Sequence, residues 1–278
     1  MYPYSVFVNT TDKFEDCWLP FFRLFTIYWP DFKGTIYLNT EYKEFQYEGL
    51  NIVSVRNCER FARKQNTWSE CLEAGVKFVD NEILLYMQED YFFHGLVEND
   101  TIHKFALIME NSDMDCIHLT DQHSFGPFQP SPFEKLWRLS KYAHHKISCQ
   151  AALWKKETLI QFIRSYENPW QFELYGTLRS QLSDPNFYTI DRNMYGIKKK
   201  EVIPYIFTGV IQGKWYEKVV DLFSKHDIEV DYGIRGFITE RGKYALIPRI
   251  RRKFKDINRT SILEILKLKY FSRPGMTR

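Results

Sequence analysis

The sequence predicts an α/β protein in which a mainly parallel central sheet is flanked by helices and followed by a basic helical tail. Short β-type runs alternate with helical patterns over the first 155 residues, as in a parallel sheet whose strands are joined by helical crossovers. Several of these runs are continuously apolar, which suits strands covered on both faces. The charge is also divided. The whole chain sums to only +3, but residues 241–278 hold 12 basic and 2 acidic groups, leaving 26 and 33 in residues 1–240. An acidic body of net −7 therefore carries a tail of net +10. No linker interrupts residues 124–240, so 1–240 are read as one domain and 241–278 as the tail.

Residues 5–8 read as the first strand. Residues 15–28 place apolar side chains at close to helical period, with Pro20 tolerable only in a first turn. Residues 35–38 and 51–55 are the next strands. Thr67 followed by Glu70 is a capping-box pattern, and Trp68, Cys71, Leu72, Val76 and Val79 continue one apolar face. The run 82–87 is too apolar for an edge and belongs at the sheet centre, ending in Gln88-Glu-Asp-Tyr91. A helix over 102–109 and a strand over 116–119 follow, then a long Pro, Ser and Phe stretch to residue 133. Beyond it the pattern predicts a strand over 148–153, a helix over 156–164 and an amphipathic helix over 215–223.

The N-terminus lacks the basic and apolar stretches of a signal peptide, and no run approaches the roughly 20 apolar residues that span a bilayer. The expectation is a cytoplasmic chain, soluble or peripheral at the inner face of the membrane. Five cysteines, widely spaced and without a C-x-x-C pair, argue against a disulfide framework or a thiolate zinc site. No Gly-rich phosphate loop, G-x-S-x-G elbow or H-E-x-x-H helix is present. Nucleic acid is an unsuitable partner, because the acidic body repels a phosphate backbone.

In open α/β sheets ligands bind beyond the carboxyl ends of the strands. That rule selects Asn9, Thr10, Thr11 and Asp12, then Arg56-Asn57, then Glu89 and Asp90, and finally Thr120-Asp121. Glu89 and Asp90 end the most apolar strand, and hard oxygen ligands suit Mg²⁺ or Mn²⁺. The same pair can instead cap a helix or meet a basic neighbour. A second cluster, Asn168-Pro-Trp-Gln-Phe-Glu173, sets one carboxylate among rings. Glu173 can then act as a general base beside the sugar platform of Trp170, or sit in an aromatic hinge paired with Arg179. A third runs from Gln150 to Trp154. His144 and His145, adjacent and without a third ligand, do not make a metal set.

Read together, these words resemble a family of bacterial GT-A-type glycosyltransferases of capsule and lipopolysaccharide assembly. The resemblance runs to about residue 237 through Asp16-Cys-Trp-Leu-Pro-Phe-Phe22, Tyr28-Trp-Pro-Asp31, Thr67-Trp-Ser69, the segment from Ile83 through Gln88-Glu-Asp90 to Phe93, Gln150-Ala-Ala-Leu-Trp154, Asn168-Pro-Trp-Gln-Phe-Glu173, Gly209-Val-Ile-Gln-Gly-Lys-Trp215 and Arg235-Gly-Phe237. It implies a GT-A-like, Rossmann-like sheet and a nucleotide-diphosphate sugar donor. The donor is expected at Asn9, Thr10, Thr11, Asp12, Arg56, Trp68, Glu89 and Asp90. The glycan or lipid-linked acceptor is expected at Gln150, Trp154 and Trp170. By the same likeness Glu173 is the base of an inverting transfer. The usual D-x-D is reduced to Gln88-Glu89-Asp90, so Asp90 alone is the expected metal ligand. A degenerate site that binds nucleotide sugar or carbohydrate without turnover is the alternative. In the tail, residues 247–255 interleave basic and apolar positions. Ile262, Leu263, Ile265, Leu266, Leu268 and Phe271 then form a helical face beside Lys267 and Lys269. The segment 248–278 suits an anionic membrane surface, or docks on the body or on a second subunit.

Overall fold

The computed structural model describes residues 2–60, 66–122, 125–238 and 257–271. The boundary expected at residue 240 and the basic run 247–255 lie outside the described residues. A nine-stranded sheet organises the body in the order β3-β2-β1-β4-β8-β5-β9-β7-β6. β1 (Ser5–Asn9), β2 (Thr35–Asn39), β3 (Asn51–Ser54) and β4 (Ile83–Gln88) run parallel. β4 lies inside the sheet between β1 and β8, as its apolar run predicts. β5 (Cys116–His118), β9 (Phe187–Ile190) and β6 (Phe128–Gln129) share that direction, whereas β8 (Ala152–Lys155) and β7 (Leu136–Leu139) oppose it.

Alternation along the strands feeds two apolar layers. Val6, Val8, Leu85 and Met87 face α1 (Glu15–Tyr28) and α4 (Asn99–Glu110), meeting Trp18, Phe21, Phe22, Phe25, Ile102 and Phe105. Phe7, Leu84 and Tyr86 face the opposite side, where α3 (Trp68–Phe78), α5 (Lys156–Phe162) and α6 (Pro169–Ser183) contribute Leu72, Val76, Leu159 and Phe172. Between β3 and α3 lies the single turn α2 (Asn57–Arg60). The capping box forms as read: Thr67 Oγ1 accepts from the Glu70 N–H, and Glu70 accepts from the Thr67 N–H at 2.9 Å.

Three local expectations change. Pro20 lies in the second turn of α1 rather than the first; the helix tolerates the lost hydrogen bond because neighbouring Trp18, Phe21 and Phe22 are fully buried. The strand expected over 148–153 begins only at Ala152, since residues 148–151 turn into it. Trp215 is in a strand, not a helix. Gln212 and Gly213, both at positive φ, join β10 (Val210–Ile211) to β11 (Lys214–Tyr216), and α7 (Lys218–Lys225) starts after that hairpin. β12 (Phe237–Ile238) completes this small sheet.

The last helix, α8 (Arg259–Phe271), docks on α6. Its single acid, Glu264, pairs with Arg164 at 2.6 Å and reaches Arg179, while Ser261 donates to Glu167 at 2.6 Å and Ile265 is buried. Docking on the body is one of the outcomes expected for the tail, and within α8 it is the acid that makes these ion pairs. Lys267 and Lys269 are exposed, as are Ile262, Leu263, Leu266 and Leu268.

Under this contact Arg179, 3% exposed, binds both oxygens of fully buried Glu167 at 2.7 Å. Arg179 therefore serves Glu167 rather than Glu173. Truncating one member of a buried pair strands the other charge. Arg179→Met should lower the unfolding free energy by about 3–5 kcal/mol; a loss below about 1 kcal/mol in urea titration would show the pair to be dispensable.

Candidate active site

The carboxyl ends of β1 and β4 open onto a cleft of about 720 Å³. β1 delivers Asn9, Thr10 and Thr11, and β4 delivers Gln88, Glu89 and Asp90. Because β8 runs antiparallel to β4, its entry, not its exit, reaches this edge, and Ser148, Cys149 and Gln150 line the same cleft. The N-terminal half of α6 brings Pro169, Trp170 and Glu173. That helix starts firmly: Asn168 caps the Gln171 N–H at 2.9 Å, Gln171 returns the bond to Asn168 N–H, and Pro169 occupies the first turn where its missing N–H costs nothing.

At one end are Glu89 and Asp90, 7% and 6% exposed. Asp90 Oδ2 accepts from Thr208 Oγ1 at 2.5 Å and from the Val210 N–H at 3.2 Å. The Gly209 N–H also bonds the Asp90 carbonyl at 2.8 Å, and a Cβ at Gly209 would stand 2.2 Å from the Phe92 ring, so only glycine allows this approach. Burial and then repulsion from Asp90 hold the Glu89 carboxyl well above the usual carboxylate range, with Arg235 pulling the other way. Burial also raises Asp90, opposed by the Thr208 hydroxyl and the Val210 N–H. Among the described residues no Lys or Arg nitrogen lies within 4.0 Å of either carboxylate. Two buried acids without a close counter-charge fit a hard divalent cation.

Towards the α6 side, Glu173 Oε1 accepts from the Cys149 N–H at 2.7 Å and from Ser148 Oγ at 3.3 Å. Burial raises its carboxyl above the usual glutamate range, against the Cys149 N–H and the charge of His145. Both bonds use one oxygen, so the carboxylate is oriented while Oε2 takes no bond among the described residues. Phe14, Trp68, Phe125 and Trp170 supply rings to the cleft, Trp170 being 65% exposed.

Other expected residues are used differently. Trp154, 1% exposed, lies in β8 inside the sheet and packs edge-on against Phe187 at 5.1 Å, so it offers no sugar platform. Arg56 does not line the cleft; it turns at positive φ and pairs with Glu44 and Glu59. Asp12 accepts from the backbone N–H groups of Glu41 and Tyr42, both at 3.0 Å, and so shapes the adjoining loop rather than the cleft wall. Gln150 lines the cleft, but its amide is held by Tyr91 and Tyr205 at 2.9 Å each. Sequence reasoning passed over Thr208, Phe14 and Phe125 as site residues. For Thr208 the only signal was its place beside the word that starts at Gly209. Arg235, in the last of those words, binds Asp16 through both Nε and Nη2, at 2.6 and 2.5 Å, and stacks over Phe14 at 4.5 Å.

No protein-family model and no curated protein matches the sequence. Among solved structures the chain is similar to S. aureus TarS 1–349, at 10% identity over 84% of this chain and 68% of that one, TM-score 0.45. It is also similar to a Drosophila β-1,4-galactosyltransferase 7 complexed with manganese, UDP-Gal and xylobiose (13%, 74% and 71%, TM-score 0.36). A third is a UDP-glucose pyrophosphorylase complexed with UDP-glucose (8%, 74% and 92%, TM-score 0.44). These are likenesses of fold, to glycosyltransferase and nucleotidyltransferase structures.

Proposed function

We propose that this chain is a glycosyltransferase that moves a sugar from a nucleotide-diphosphate donor to a hydroxyl of a glycan or lipid-linked acceptor in surface polysaccharide synthesis, with inversion. One observation supports this reading above the others: a single cleft is lined both by a buried acidic pair suited to a cation and by an oriented, raised-pKa glutamate. Diphosphate departure needs positive charge and acceptor attack needs a base, and the cleft wall has a candidate for each.

Asp90, with Glu89 beside it, would hold a Mg²⁺ or Mn²⁺ that neutralises the departing diphosphate. Glu173 takes the acceptor hydroxyl proton as that oxygen bonds the anomeric carbon and the bond to the diphosphate breaks. Cys149 N–H and Ser148 orient the base, and Trp170 offers a ring face to the acceptor sugar. Asn9, Thr10 and Thr11 lie at the end of β1, where the nucleoside is placed. The direct test offers the purified protein a panel of nucleotide sugars with glycan acceptors and measures release of nucleoside diphosphate. Donor binding without any release across the panel would favour a binding protein.

No helix among the described residues is long and apolar enough to cross a membrane. We place the exposed side of α8, with Leu263, Leu266 and Lys267 outward, against an anionic membrane, to which each basic residue near the headgroups contributes about 1 kcal/mol. Leu263→Asp combined with Lys267→Glu alters outward positions only. It should reduce co-sedimentation with phosphatidylserine-containing vesicles by about tenfold or more; undiminished binding would overturn that placement.

A further inference from the structure

We propose that Glu41, Cys58 and Cys71 form a zinc site outside the cleft. The three come from separate elements: Glu41 follows β2, Cys58 is in α2 and Cys71 is in α3. Their ligand atoms, one carboxylate oxygen and two sulfurs, all lie within 4.8 Å of one another. Tetrahedral zinc, with Zn–S of about 2.3 Å and Zn–O of about 2.0–2.2 Å, holds such atoms about 3.5–3.8 Å apart. Movement of about 1 Å closes the set around an ion, with a fourth position left for water.

The surroundings suit this ligand set. Both cysteines are buried and free of disulfide bonds. Asn66 Nδ2 points a donor at Cys58 Sγ, 3.3 Å away, the arrangement that orients a sulfur ligand. Glu41 is braced in turn, since its carboxylate accepts from the Asp12 N–H at 3.2 Å while its own N–H donates to Asp12. Two sulfurs and a carboxylate favour zinc over Mg²⁺ or Ca²⁺, which prefer all-oxygen shells. On binding, two S–H bonds give way to two Zn–S bonds and both protons pass to solvent, so affinity falls as pH falls.

The site joins the wall of the cleft from behind. Asn39 Nδ2 donates both to Asn9 Oδ1 at 2.9 Å and to the Cys71 carbonyl at 3.1 Å. An ion linking the turn after β2, α2 and α3 therefore braces the segment that carries Asn9, Thr10 and Thr11.

The test uses the full chain, stripped with chelator under reducing conditions and titrated with cobalt(II) and zinc. The expected result is about one equivalent bound, a sulfur-to-cobalt charge-transfer band that zinc displaces, and a zinc-dependent rise in Tm. Cys58→Ser and Cys71→Ser should each remove the band. Glu41→Gln should weaken binding by about a hundredfold or more, since even a group that only orients a ligand is worth about 10–100-fold. The wild-type spectrum needs no variant to fold. Its failure to show sulfur ligation would overturn the site, and so would a Cys58–Cys71 disulfide in protein purified without reductant that stripped, reduced protein does not replace with bound metal. None of these readouts depends on glycosyl transfer.

Discussion

Replacing Glu173 with Gln is expected to lower the transfer rate by about 10²–10⁴-fold, the range a positioned general base supplies. Donor affinity should stay within about twofold, because the side chain keeps its shape and binds the acceptor proton rather than the nucleotide. Gln can still accept from the Cys149 N–H and Ser148 Oγ through its carbonyl oxygen, so the fold should persist. The pH profile separates this role from a structural one. A base works only when ionised, so the wild-type rate should fall as pH falls through the Glu173 pKa, which burial places above the usual glutamate range. With saturating Mn²⁺ to keep Glu89 and Asp90 ionised, the residual rate of the Gln variant should lack that acidic limb. A variant that turns over normally, or keeps the limb, would remove Glu173 from the chemistry.

The second large effect is a trade of activity for stability at the acidic pair. Glu89 has a folded-state pKa well above its unfolded value. The stability associated with its neutral form is therefore fully present below the unfolded pKa and is lost as pH rises through the folded one. Glu89→Gln removes a charge that the native state buries unfavourably at neutral and alkaline pH. Its Tm at about pH 8 should exceed that of the wild type by a few degrees, at roughly 2–4 °C per kcal/mol, and the advantage should vanish in acid. Mn²⁺ reverses the logic for the wild type by compensating both carboxylates, so it should raise Tm there, and Asp90→Asn should abolish that rise. Transfer should fall in both variants. Equal Tm values at both pH extremes would show that Glu89 is not held against its charge. A Mn²⁺ response that survives Asp90→Asn would move the cation elsewhere.

How much of this could be read in advance depended on whether the signal was local. The run ending at Met87 announced an interior strand because five consecutive buried positions admit almost no polar side chain, and the acids after it had to lie at a strand end. The capping boxes at Thr67 and Asn168 are four-residue events; the first was legible, and the second was seen only as an aromatic cluster. Trp154 shows where local reading fails. Periodicity located a strand near it but carried no strand direction, and direction decides which end of β8 meets the cleft. With β8 antiparallel to β4, Gln150 falls at the site and Trp154, a few residues on, falls inside the sheet. Arg56 and Asp12 fail for a related reason: both follow strands, but their partners, Glu44 and Glu59 for one and the Glu41–Tyr42 backbone for the other, are chosen by how a loop folds back.

The sequence by itself determined the α/β class, the strands of the parallel half, the carboxylates at Glu89, Asp90 and Glu173, and the separation of an acidic body from a basic tail. These follow from composition and from periods of two and 3.6 residues, which act over a few neighbours. The tertiary structure alone decided that Arg179 neutralises Glu167 and not Glu173, that Thr208 reaches Asp90 across 118 positions, that α8 docks with its one acid, Glu264, against Arg164 and Arg179, and that Cys58 and Cys71 meet Glu41 although their spacing argued against it. Each of those outcomes is a contact beyond the reach of a local pattern, from 12 positions for Arg179 and Glu167 to 118 for Thr208 and Asp90, settled by the packing of the whole core.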